Sequence, residues 1–424
     1  MTAAGQPSVS YSYDNDNRLT QISQGSSTVG FSYDNGGRRI SLTLPNGVTV
    51  SYNYDQASEL TGITYALGST TLGNLTYGYD ADGRRTTVGG TDAATGLPQA
   101  LSSATYDAAN ELTKWGGTKL SYDADGNLTS DGTNSYTWDA RNQLASINSG
   151  AYSFEYDAFG RRIGDSGTGY LYDGPNVIQE VAGGSPIASR LTGGVDEFFS
   201  LSNSNGTFYP LTDALGSTIA LTDSTGAVQT QYTYEPFGNT TVSGPAEGNS
   251  FEYTGRENDG TGLYYYRARY YSPVYQRFIS EDPMGLGGGF NLYAYVGNEP
   301  VELQDAFGLH PTKPQWWPPF VPYWNPWGGN PPIAPPQPSS PNHAPPYTPN
   351  PKDFLPHAPA QDCRLLTDME LAGDAFDFAD TSSAAAQALN PEGSVPDFSG
   401  PGEPASRLPS YGLEKILAFE SGCQ

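Results

Sequence analysis

Residues Phe154–Ser166 read FEYDAFGRRIGDS, and this short stretch decides the fold. Phe154 and Tyr156 alternate as on a strand, and a second short strand begins near Arg161. Between them, Asp157-Ala158-Phe159-Gly160 has turn chemistry: the Asp side chain accepts a backbone N–H and Gly takes positive φ without cost. The stretch is a hairpin. Outward from it, the same Tyr-Asp phrase recurs at Tyr13, Tyr33, Tyr54, Tyr79, Tyr106, Tyr122, Tyr156 and Tyr172, with Trp138-Asp139 standing in once. The spacing runs from 16 to 27 residues, close to the period of stacked repeats. One hairpin cannot hide its apolar face, but a row of them shares one. An all-β repeat structure follows, and its regularity needs no binding role.

Composition agrees. Hydrophobic residues make up only 36% of 424, and that figure includes 30 Tyr, whose apolar body and polar tip suit a sheet with one wet face. Fifty-one Gly supply frequent turns. A formal net charge of -25 argues against nucleic acid or an anionic membrane surface as partner, since both need clustered Lys and Arg. The opening MTAAGQPSVSYSYDND has no apolar run, so no signal peptide is expected, and no stretch has the length of a membrane helix. The DADG turns at Asp80–Gly83 and Asp123–Gly126 begin like a calcium loop but lack its remaining ligands. They read as plain β-turns, and no metal or cofactor is expected.

A second stretch, YTGRENDGTGLYYYRARYYSPVYQRFISEDPMGLGGGFNLYAYVGNEPVELQDAFGL (Tyr253–Leu309), carries the constellation that looks chemical: Arg269, Asp282 and Asp305, with Gly308-Leu309 where the composition changes. Two carboxylates brought close cannot both ionise cheaply, so one keeps its proton. The charged one can take a proton from water while the protonated one hydrogen-bonds a scissile carbonyl. Arg269 can hold the pair or offset developing negative charge. Within one chain, proximity replaces substrate affinity. Spacing alone carries little weight, because the chain has 45 acidic residues. Asp282-Pro283 reads equally as a turn opener and Arg269 as an ion-pair partner.

YDAFGRR and its relatives resemble the YD repeats of the RHS family. The run from YTGRENDGTGLYYYRARYY through RFISEDPMGL to NLYAYVGNEP resembles the RHS repeat-associated core domain of bacterial polymorphic toxins and of the C component of Tc toxin complexes. The likeness implies repeats at 1–250 spiralling into a β-cocoon shell and a core or autoprotease plug at 251–309. A Pro/Trp-rich linker at 310–360 and a variable C-terminal region at 361–424 follow. It also implies a single-turnover aspartyl autoprotease, with Asp282 in DPMG, Asp305 in DAFGL and Arg269 in RARYY as catalytic residues. Cleavage would fall between Leu309 and His310. Two positions depart from the family pattern: Ala306 stands where the family has Pro, which relaxes the backbone at Asp305, and Gln276 stands in place of Gly. Family shells are generally longer, so one of 309 residues is expected to stay partly open.

Beyond Leu309 the composition turns over. Residues 310–359 hold 18 of the 34 Pro and four of the six Trp, as expected of an extended linker. Residues 361–424 have a net charge of −8, two stretches with helical periodicity, and Cys363 and Cys423, for which a disulfide and two free thiols are both open. No activity is assignable to this tail. The leading expectation is a carrier whose shell encloses its own C-terminal region as cargo and cuts it free. It would be secreted or displayed at the cell surface by a dedicated export system, with a secretion-system or toxin-complex partner and an immunity protein. The rivals are a non-catalytic secreted or surface repeat protein that binds partners, and a truncated RHS gene fragment.

Overall fold

The structure, a computed structural model, describes residues 3–314 apart from 4, 94, 95 and 99. The expected linker from Gln315 onward, the two stretches with helical periodicity and both cysteines lie outside the described residues. Every sheet is antiparallel and follows chain order. The first has eight strands, from Val9–Tyr13 to Arg85–Gly89, and the largest has twelve, from Tyr136–Trp138 to Thr240–Ser243. Small three- and two-stranded sheets lie between them, and a four-stranded sheet runs from Glu257–Asn258 to Arg277–Phe278. Each strand pairs with its neighbours in sequence, and among the described residues no sheet closes on itself. The expected all-β, open shell of hairpins is what the chain forms. No described helix is long and apolar enough to cross a membrane.

The repeated phrase has a repeated geometry. At Asp34, Oδ1 accepts the N–H groups of Gly36 and Arg38, both at 2.9 Å, and Gly37 takes φ +80° and donates to Asp34 O. A β-bulge at Tyr33 precedes the turn and adds twist. The DADG turns are built alike: Asp80 Oδ1 accepts from Asp82 and Arg84, and Asp123 Oδ1 from Asp125 and Asn127.

Tyr and Arg then join one unit to the next. The Tyr33 hydroxyl donates to Leu19 O, Tyr54 to Arg39 O, Tyr79 to Leu60 O and Tyr156 to Leu144 O. The Arg18 guanidinium lies over the Tyr33 ring at 5.3 Å and Arg38 over Tyr54 at 4.9 Å, and Arg38 Nη1 also reaches Asp55 O. The phrase YDxxGR is thus a turn plus a clasp on the following turn.

The eight-stranded sheet packs against the middle of the twelve-stranded one. Ile22, Val29, Val48, Val50, Ile63 and Tyr65 meet Leu191, Phe199, Tyr209 and Leu211 in a shared core, and the Tyr65 hydroxyl crosses to Thr212 O at 2.7 Å. Side chains fill the space between these two layers. A second core joins Leu112, Leu128, Leu144 and Phe154 of the repeats to Leu263, Tyr265, Tyr270 and Ile279 of the closing stretch.

That stretch departs from the one-wet-face expectation for Tyr. Tyr264, Tyr265, Tyr266, Tyr270 and Tyr271 are all buried, on both faces of their strands. Burial is tolerated because the hydroxyls find partners: Tyr264 donates to Glu252, Tyr271 to Phe237 O, and Tyr266 pairs with Thr254 and Tyr295.

Gln276, where Gly was expected by resemblance, has φ +59°. A side chain in this left-handed region costs about 1–2 kcal/mol, and Gly returns part of that through the freedom it gains when unfolded. Gln276→Gly is expected to stabilise the chain by about 1 kcal/mol. The check is a higher urea midpoint with unchanged slope.

Candidate functional site

Two tight turns bring the distant acids together. In Asp282-Pro283-Met284-Gly285, the Gly285 N–H donates to Asp282 O at 2.8 Å and the Met284 N–H to Asp282 Oδ1 at 2.8 Å. In Asp305-Ala306-Phe307-Gly308, the Gly308 N–H donates to Asp305 O at 3.3 Å. The second turn closes without the Pro whose absence was expected to loosen it.

Between the turns sits Arg269, on the strand Arg269–Ser272. Its Nη2 lies 2.8 Å from Asp282 Oδ2 and 3.5 Å from Asp305 Oδ2. Its Nε donates to Gly308 O and Nη1 to Leu292 O, and the guanidinium covers the Phe278 ring at 3.7 Å. Relative exposures of 3% for Arg269, 7% for Asp282 and 2% for Asp305 place the trio out of bulk water. Burial pushes both carboxyls above the usual range, against the pull of Arg269 and of the backbone N–H groups. Burial likewise pulls the Arg269 guanidinium down, opposed by the two acids.

The peptide bond between Leu309 and His310 lies beside Asp305. Asp305 Oδ1 accepts the His310 N–H at 3.2 Å and the Leu309 N–H at 3.0 Å. On the carbonyl side, a methyl group placed on Gly288 would lie 2.2 Å from Asp282 Oδ2 and 3.1 Å from Leu309 O. Asp282 Oδ2 and Leu309 O therefore both border the space in front of Gly288, which stays free because residue 288 has no side chain. Downstream, Thr312 and Gln304 exchange two backbone hydrogen bonds, at 2.7 and 2.9 Å, and tie off the loop.

Arg269, Asp282, Asp305, Leu309 and His310, all singled out from sequence, thus meet in one place. Sequence reasoning missed Gly288 and Arg267, two residues before Arg269. Arg267 hydrogen-bonds Ala306 O and pairs with Asp196 of the repeat region. The alternation in RARYY was the available signal for it.

Comparison with known proteins places this geometry in context. The family described as Teneurin YD-shell matches residues 2–72 and 46–301. Toxin subunit YenC1 of Yersinia entomophaga is 42% identical over 91 residues, which is 20% of this chain and 9% of that protein. The tRNA3(Ser)-specific nuclease WapA of Bacillus spizizenii is 32% identical over 275 residues, 60% of this chain and 12% of the relative. Toxin protein Tse5 of Pseudomonas aeruginosa is 52% identical over 52 residues, 12% of this chain and 4% of the relative. The chain therefore spans only a small part of the length of these relatives. Among solved structures, the TcdB2-TccC3-Cdc42 crystal structure superposes with a TM-score of 0.55 at 20% identity, covering 71% of this chain and 20% of the other. The Photorhabdus luminescens Tc holotoxin pore gives 0.53 at 20% identity, covering 72% and 20%.

Proposed function

Since the chain belongs to the teneurin YD-shell family of YD-repeat proteins, we propose that it is the closing end of an RHS-type toxin shell that cuts itself between Leu309 and His310. The carrying observation is that two buried acids share one guanidinium beside this peptide bond, with Asp305 accepting its N–H and Asp282 bordering, with Leu309 O, the space at Gly288. In this reading, residues 251–309 form the autoproteolytic plug of the 1–250 repeats. The chain from His310 is the cargo, joined by the 310–360 linker to the variable 361–424 region. The toxin names of the relatives support export from the producing cell, a toxin-complex or secretion partner and an immunity protein.

The steps follow from placement. Protonated Asp282 hydrogen-bonds Leu309 O and draws charge from the carbonyl carbon. The Asp305 carboxylate takes a proton from a water, and the resulting hydroxide adds to that carbon. Asp305, already aligned with the His310 N–H, returns the proton to the nitrogen as the C–N bond breaks. The products are a carboxyl at Leu309 and an amine at His310, with one water consumed. Arg269 offsets the negative charge that builds between the acids.

The test is the mass of the expressed full chain over time. Two fragments, 1–309 and 310–424, are expected, and a chain that stays whole across the acid-to-neutral range overturns the reading. The rate is also expected to be bell-shaped in pH. Asp282 must hold its proton, so the rate falls as pH rises past its raised pKa. Asp305 must be charged, so the rate falls as pH drops below its own. Both carboxyls are pushed up, so the window lies above about pH 4, the value of an ordinary carboxyl.

A further inference from the structure

Three successive carbonyls of the loop bearing the scissile bond are each held by one of three successive residues of the facing hairpin. Arg267 Nη1 donates to Ala306 O, the Ala268 N–H to Phe307 O at 3.1 Å, and Arg269 Nε to Gly308 O at 2.5 Å. The next carbonyl in the series is that of Leu309, which borders the space at Gly288 together with Asp282 Oδ2. A loop gripped this way cannot slide by one residue without breaking all three bonds.

Arg267 is itself fixed from the other side. Its Nη2 lies 2.5 Å and its Nη1 3.1 Å from the Asp196 carboxylate, and Nη2 and Nε donate to Pro175 O. The Asp196 N–H donates in turn to Asn176 Oδ1. The guanidinium stacks on Phe307 at 5.0 Å, inside the same loop. Arg267 also holds φ +58°, a strained backbone for a long side chain, which such a set of contacts over-determines. Its partners are Asp196, Pro175 and the loop, so its influence on the acids runs through the loop.

We infer that Arg267, anchored on Asp196, is a positioning residue that sets which peptide bond is presented to Asp282 and Asp305. The inference rests on the self-cleavage reading above. Its physical content is that an ångström of misplacement at a reacting centre lowers a rate by about a hundredfold.

The experiment uses the full chain, with Arg267→Met and Arg267→Gln beside the parent. It reads the cleavage rate, the new N-terminal residue by mass spectrometry, the pH profile and the melting temperature. Arg267→Met is expected to cut about a hundredfold more slowly and to yield N-termini scattered around His310. Its pH profile is expected to keep its position, because Arg267 does not set the charge state of the acids. Arg267→Gln, which retains a donor for Ala306 O but not the fork on Asp196, is expected to fall between. Cutting of Arg267→Met at the parental rate and solely before His310 overturns the inference. So does a slowing that follows a lowered melting temperature in both variants while the cut site stays uniform. A parent that is never cut refutes the self-cleavage reading itself, whereas a cut parent with an unaffected Arg267→Met refutes only the positioning role.

Discussion

Asp305→Asn is expected to leave the chain whole under conditions where the parent is cut, and Asp282→Asn to do the same. The amide is nearly the same shape as the carboxylate. In Asp305→Asn its oxygen still accepts the Leu309 and His310 N–H groups, and in Asp282→Asn the Met284 N–H keeps its acceptor. The turns therefore persist, while an amide neither takes a proton from water at position 305 nor donates as an acid at 282. Loss of one positioned acid or base costs about 10²–10⁴-fold in rate. Because the two act on one bond as a unit, the double variant is expected to be scarcely slower than either single one. Intact mass after equal incubation decides it. A single variant that retains more than a tenth of the parental rate would remove that residue from the chemistry.

The second large effect concerns the joint between repeats and closing stretch. Arg162, the second Arg of FEYDAFGRR, is 0% exposed and forms short ion pairs with Glu257 and Asp259, both 2.5 Å. It also lies 4.2 Å from the Tyr265 ring centre. Arg162→Met strands the buried Asp259 carboxylate and leaves Glu257 with Arg256 alone, at 3.7 Å, and breaking a buried pair from one side costs about 3–5 kcal/mol. Urea unfolding is expected to show that loss near neutral pH. Burial already pushes the Asp259 carboxyl up to about 6, against the pull of Arg162. A carboxyl raised in the folded state binds more protons there than in the unfolded chain, so its contribution is present at low pH and lost as pH rises through the folded value. The stability gap between variant and parent is therefore expected to be widest above pH 6 and to narrow toward pH 4 as Asp259 takes up its proton. Adding Glu257→Gln and Asp259→Asn is expected to recover much of the loss. A variant within 1 kcal/mol of the parent at neutral pH would contradict this account.

Much of this was legible from the residues because it is local. A turn such as Asp157–Gly160 is written by Asp and Gly three positions apart, and its period fixes the hairpin row. The acids were legible only through resemblance, since nothing in the spacing of Asp282 and Asp305 foretells that two separate turns bring them to one guanidinium. Arg162 was not legible. It follows Arg161, which pairs with Asp157 at the surface, and the phrase does not show which of two adjacent arginines turns inward. Gly288 was hidden for a similar reason, because its meaning lies in what stands opposite it. Burial of the Tyr-rich strands on both faces depended on hydroxyl acceptors such as Phe237 O, far away in sequence.

The clasp of Arg18 and Arg38 on the following Tyr ring and Asp carbonyl is a rule between neighbours alone. Such a rule survives copying. A duplicated segment arrives with its own donor and acceptor already matched to what precedes and follows it, and an excised one leaves ends that still fit. Because each clasp reaches only the next unit, adding or removing a unit leaves the remaining clasps in place.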